Sequence, residues 1–180
     1  MLERLYAWGG MQYARFQFRS DIDTPQDLTR FFTGAHHVLL TLPPGYEDAA
    51  SAGNALRKFR DSLSHLQFTV VHTGTRATAL TEFPRCTVVR IDAQDVDRYG
   101  LPSKALLQRV FFKEYDVAID FNLDFVLHAA YICKASRAKV RVSFCDHPHA
   151  ESFFNVLFKL GEQRSTQTVY DQCATCLSMF

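Results

Sequence analysis

The sequence predicts an α/β fold, a single doubly wound parallel sheet of about five strands, Rossmann-like in plan. Three observations carry this expectation. Five short apolar runs, at 38–42, 68–72, 87–91, 117–121 and 140–144, are rich in β-branched residues, end at turn residues and show no polar face. Strands covered on both sides have that pattern. Segments of helical spacing alternate with the runs, and strands alternating with helices of this length build βαβ units with right-handed crossovers. The chain has 180 residues, 47% apolar and 22% charged, enough for one sizeable core and short for two.

In chain order, residues 1–35 read as an aromatic and basic extension. Leu2, Leu5, Tyr6, Trp8, Tyr13, Phe16 and Phe18 mix with arginines around a Gly9-Gly10 break. A short helix there would pack across the main domain. Thr24-Pro25-Gln26-Asp27 places a capping hydroxyl before a proline at a first helical position, which predicts a second short helix over 25–32. After the first strand, Pro43-Pro44-Gly45 forms a rigid turn. Ala52, Leu56, Phe59 and Leu63 then fall at i, i+4, i+7 and i+11, one apolar stripe with Arg57, Lys58, Arg60 and Asp61 outside it. Leu106, Leu107, Val110 and Phe111 supply a stripe after Pro102-Ser103. Leu123, Val126 or Leu127, Ala130 and Cys133 supply another. Phe153, Leu157 and Leu160 predict a fourth helix closed by Gly161. The Rossmann-like domain is expected over 36–162. Residues 163–180 read as a tail, polar and then cysteine-rich, with no period.

Composition excludes several function classes. Twenty basic residues against nineteen acidic give a net charge of +1, so no global field exists to hold nucleic acid or an anionic membrane, and any anion site must be local. No apolar run approaches the roughly 20 residues of a membrane span, and Met1-Leu2-Glu3-Arg4 does not open a signal peptide. Five cysteines, an odd number, point to reduced thiols and a cytoplasmic location. There is no Gly-x-Gly-x-x-Gly fingerprint, nucleophile elbow or HExxH motif.

Candidate chemistry gathers at strand ends. Asp48 follows the first strand, at the carboxyl edge where doubly wound folds build their sites. Glu47 and Asp48 also fit the plain role of first-turn acids favoured by the helix dipole. Asp120, Asn122 and Asp124 ring the end of a later strand. They mimic the start of a calcium loop, but Phe125 stands where glycine is needed and Tyr131 where the bidentate glutamate is needed. Strand-end and helix-cap roles suit them better, with Asp120 able to face the same cleft as Asp48. Cys145 and His147, taken with Cys173 and Cys176, are an alternative zinc set whose spacing matches no standard module, so no metal is expected. His36, His37 and His72 read as strand-end or core histidines, and Arg15, Arg19 and Arg30 as a solvated face.

Two segments carry a family resemblance. The first runs from Val38-Leu39-Leu40-Thr41-Leu42 through Pro43-Pro44-Gly45, Asp48 and Ala55-Leu56-Arg57 to Asp61. The second runs from Tyr115-Asp116-Val117-Ala118-Ile119-Asp120 to Ala138-Lys139-Val140-Arg141-Val142-Ser143-Phe144. Together they resemble the N-terminal half of glycosyltransferase family 9, the ADP-heptose:lipopolysaccharide heptosyltransferases, over roughly residues 36–160. Glu47 and Ser143 stand where that family usually has glycine, and the chain ends where its second Rossmann-like domain, the one that contacts the sugar nucleotide, would begin.

The resemblance implies the acceptor-side half of a GT-B enzyme, inactive alone and completed by a second domain or a partner protein. Intact, it would transfer a sugar with inversion, using no metal or other cofactor. Asp48 would be the general base, with Gly45, Glu47, Asp120 and Asn122 binding substrate, a sugar or sugar nucleotide. The alternative is a non-catalytic Rossmann-like module for ligand binding or self-association. Large apolar side chains in the extension further suggest a homodimer.

Overall fold

The computed structural model describes residues 2–24, 34–62, 65–73, 86–159 and 165–177. Helix α1 (Leu2–Gln17) leads into β1 (His37–Thr41), α2 (Tyr46–Ser62), β2 (Gln67–Thr73) and β3 (Cys86–Ile91). Then follow α3 (Lys104–Val110), β4 (Val117–Asp120), α4 (Leu127–Ala135), β5 (Val140–Ser143), β6 (Val156–Leu157) and α5 (Thr166–Leu177). The strands form one parallel sheet in the order β3-β2-β1-β4-β5-β6. The order reverses between β1 and β4, so the crevice of this doubly wound sheet opens at their carboxyl ends.

Alternation along the strands divides the core in two. Val38, Leu40, Val117, Ile119, Val140 and Val142 face α2 and α5, against Ala52, Leu56, Tyr170, Cys173 and Leu177. Leu39, Val71 and Ala118 face the other way, against Met11, Ala14, Leu106, Val110, Ala130 and Cys133 of α1, α3 and α4. Burial on both faces explains the unbroken apolar runs. Ser103 starts α3, its hydroxyl accepting the Leu106 amide at 3.1 Å. The five cysteines are free thiols. Among the described residues, no helix is long and apolar enough to cross a membrane.

The expected parallel sheet is present, the five apolar runs being joined by a two-residue sixth strand, β6. Three local expectations are corrected. The helix expected around Phe153 and Leu157 is instead a 3-10 turn (Ala150–Ser152) followed by β6. Asn155 decides this: its Oδ1 accepts the Arg141 amide at 2.7 Å and its Nδ2 donates to the Lys139 carbonyl at 2.8 Å, laying the chain along β5. Phe153 then packs on the α4 side, while Phe158 stacks on Phe144 with centroids 5.4 Å apart on the other side. Leu160 and Gly161, like the helix expected over 25–32, lie outside the described residues.

The segment read as lacking a period forms α5, with Tyr170, Cys173, Ala174 and Leu177 buried. Its stripe is built partly of cysteine and alanine, too small to read as apolar. Gly9-Gly10 does not break α1 but lies within it. A Cβ on Gly10 would collide with the Tyr99 carbonyl oxygen and come within 3.2 Å of the Leu127 side chain. The glycine is what lets α1 dock so closely, with Phe18 reaching Tyr131 at a centroid distance of 4.9 Å.

Candidate functional site at the switch point

Thr41 and Asp120 are register partners, the last residues of β1 and β4. The Thr41 hydroxyl donates to Asp120 Oδ1 at 2.7 Å, tying the two strand ends across the crevice. The Asn122 amide donates to the same oxygen at 3.0 Å, and its Nδ2 also donates there. Asp120 therefore holds both the strand end and the loop that leaves it. Only 2% of it is exposed. Burial pushes its carboxyl up to about 6, against the opposing effect of the Asn122 and Thr41 hydrogen bonds. Beneath it, Cys133 Sγ of α4 lies 3.8 Å from the Thr41 hydroxyl, and burial and then Asp120 drive its thiol well above the ordinary range.

On the β1 side of the crevice, the Ala49 amide donates to the Gly45 carbonyl at 2.8 Å, starting α2. Asp48 is half-buried in that first turn and Glu47 is exposed. The Asp48 carboxylate folds back over the turn: a Cβ on Gly45 would sit 3.1 Å from its Oδ2. Glycine leaves the carboxylate its room.

The third wall comes from α5. Tyr170 is 1% exposed, its ring 6.4 Å from that of Phe121. Burial, then Asp48, Cys173, Asp120 and Asp124, keep its phenol protonated far above its usual range. Cys145 beyond β5 is pushed up to about 11 by burial and by Asp120, Asp124 and Asp146. Both residues thus feel the acidic field of this edge.

The structure therefore gathers Gly45, Glu47, Asp48, Asp120 and Asn122 at one sheet edge, from elements far apart in sequence. It does not gather the alternative metal set. Cys173 and Cys176 lie on α5, and burial pushes the Cys173 thiol up to about 12. The His147 ring stacks on Phe125 at 4.9 Å. Among the described residues, no group of three or more His, Cys, Asp or Glu side chains is placed to hold a metal ion. His36 and His37 are at the opposite edge, their amides donating to Asp116 Oδ2 at 2.8 and 3.0 Å. Thr41 and Tyr170 escaped the sequence reading. A polar residue inside an apolar run was the signal for Thr41; Tyr170, in an unread helix, had none.

Chemically, the edge offers hydroxyl and carboxylate groups and, among the described residues, no phosphate cradle. Two acids in the first turn of α2 oppose an anion at its N-terminus.

No family model matches the chain, and its sequence matches no curated protein. Its fold is similar to solved structures. Escherichia coli heptosyltransferase WaaC with ADP superposes with a TM-score of 0.62 at 16% identity, over 78% of this chain and 46% of that one. The same enzyme with ADP-2-deoxy-2-fluoro heptose gives 0.62 at 16% identity, over 78% and 47%. A family 9 glycosyltransferase from Veillonella parvula gives 0.61 at 14% identity, over 81% and 42%. The chain spans less than half the length of each, and shares with them a glycosyltransferase-like α/β fold.

Proposed function

We propose that the crevice between β1 and β4 is the acceptor-side half of a glycosyl-transfer site of the heptosyltransferase type, completed by a second domain or a partner protein that holds the sugar nucleotide. The observation that carries the reading is the Thr41–Asp120 clasp at the switch point, with Asp48 and Asp120 both acting on the buried Tyr170 phenol. The two acids in the first turn of α2 support an acceptor role over a donor role, because they oppose a phosphate at that helix N-terminus. In the completed site, Asp48 accepts the proton of an acceptor hydroxyl while that oxygen attacks the anomeric carbon. The bond from that carbon to the nucleotide phosphate breaks, the diphosphate leaves with the electron pair, and the configuration inverts. Asp120 and Asn122 hold the loop against which the acceptor rests, with Gly45 and Glu47 on its other side.

A second reading is a non-catalytic Rossmann-like module. It is favoured by one observation: the bonds on Asp120 Oδ1 all serve the fold itself.

Calorimetric titration separates the two. The chain alone should bind a lipopolysaccharide core oligosaccharide more tightly than ADP, and Asp48→Ala should weaken that binding about tenfold, or about 1.4 kcal/mol. Binding of ADP in preference to the oligosaccharide, or indifference to Asp48→Ala, would count against the acceptor site.

A further inference from the structure

Helix α1 is apolar on two sides. One side is docked, through Gly10, Met11, Ala14 and, just beyond the helix, Phe18. The other faces water. Leu2, Leu5, Gly9, Tyr13 and Phe16 fall at i, i+3, i+7, i+11 and i+14, a stripe along one helix face. Leu2 is 67% exposed, Leu5 59%, Tyr13 54% and Phe16 59%, and Trp8 beside them is 64% exposed. Five of the eight large apolar side chains exposed among the described residues belong to this one helix. Such a concentration marks an interaction surface.

The border of the stripe identifies the partner. Arg4, Trp8 and Arg15 follow one another at i, i+4 and i+11, placing both arginines along the Trp8 side of the stripe, and Arg19 stands in the turn just beyond the helix. All three arginines are exposed, and the Arg19 guanidinium lies 3.9 Å above the Phe16 ring. Residues 2–20 carry these three arginines and a single acid, Glu3, in a chain whose total charge is only +1. An outward stripe of leucine and aromatic side chains, flanked by arginines, is the chemistry of a helix lying in a lipid interface. A second copy of the same helix would instead bring its arginines against these.

We propose that α1 docks the protein onto an anionic phospholipid surface, with Leu2, Leu5, Trp8 and Phe16 entering the acyl boundary and Arg4, Arg15 and Arg19 meeting the headgroups. Because the opposite side of α1 is locked to α4 and to the Tyr99 backbone, the helix presents this face without refolding. The Rossmann-like domain would ride on the membrane rather than cross it.

Trp8 is the sole tryptophan, so its emission reports the stripe directly. Vesicles of phosphatidylcholine mixed with phosphatidylglycerol should shift the emission of the full chain to the blue and sediment it. Pure phosphatidylcholine or high salt should weaken binding at least tenfold. Leu5→Glu should abolish the shift. Arg15→Gln should cost about fivefold on the mixed vesicles. Far-UV circular dichroism checks that both variants keep the fold. Two results would overturn the proposal: emission unmoved by vesicles in a monomeric protein, or emission already blue without lipid in a dimer by light scattering. The latter would give the face to a second copy.

Discussion

Replacing Asp120 with asparagine is expected to stabilise the protein by up to about 3 kcal/mol above pH 6 and to leave it nearly unchanged near pH 4. Burial raises the Asp120 carboxyl from 3.8 to about 6. Between those values the folded state keeps a proton that the unfolded state has lost, so the contribution of this group to stability falls as pH rises. Above pH 6 the loss is complete and the curve flattens. Asparagine keeps the oxygen that accepts from Thr41 and Asn122 and puts an N–H where the neutral acid has its O–H, so it carries no charge to desolvate. Urea unfolding of both proteins across pH 4 to 8 measures the effect. An Asp120→Asn protein less stable than wild type at pH 8 would show that the ionised carboxylate is welcome in the crevice. A stabilising replacement at such a position is also the mark of a residue kept for function at a cost in stability.

The second large effect lies beside β4, where β5 and the end of α4 meet the segment leaving α1. Lys134 and Arg141 have side chains only 5% exposed, and the same carboxylate, that of Asp23, meets both. Lys134 Nζ stands 3.3 Å from Asp23 Oδ2, and Arg141 donates to Asp23 Oδ1. Arg141 also donates to the carbonyls of Phe153 and Ala138, at 2.8 and 2.7 Å. Partial burial opposes ionisation of Asp23, but the Arg141 guanidinium and then the Lys134 ammonium overcome it and hold the carboxyl below its usual range. Its contribution is thus present above the ordinary carboxylate pKa and lost as pH falls through the depressed value, the reverse of Asp120. Asp23→Ala leaves two buried cations without this partner, a loss of about 3 kcal/mol. That is the low end of such losses, because Asp23 is 38% exposed and lines a cleft of about 890 Å³ that water enters. Lys134→Met should cost under about 1 kcal/mol, since Asp23 keeps Arg141. Because Asp23 anchors the segment leaving α1, limited proteolysis of Asp23→Ala should cut the extension first. Equal losses in the two variants would deny the carboxylate its bridging role.

How much of this was legible depended on where the information lay. Four of the five dense strands announced themselves because they are buried on both faces, while β3, at the sheet edge, exposes Thr87 and Arg90 and was legible from its β-branched residues. Asp48 and Asp120 stood out as acids at strand ends. The burial of Asp120 did not, because it depends on Thr41, a partner 79 positions away that only the β1–β4 register brings opposite. The strand β6 is two residues long and held by Asn155, leaving no run to read. Helix α5 hid behind small side chains, and with it Tyr170, the wall of the crevice. The glycine pair was misread because glycine interrupts an isolated helix yet permits the closest docking of a packed one. Local pattern carried the layers, and the contacts between distant segments carried the site.

The most direct test of the acceptor-side reading is an amide NMR map of the isotope-labelled chain titrated with a lipopolysaccharide core oligosaccharide. The account predicts shifts confined to 42–48 and 120–124, with Tyr170 following and the amino edge at His36 and Asp116 silent. Shifts centred elsewhere, or none at saturating oligosaccharide while ADP moves the same amides, would contradict it.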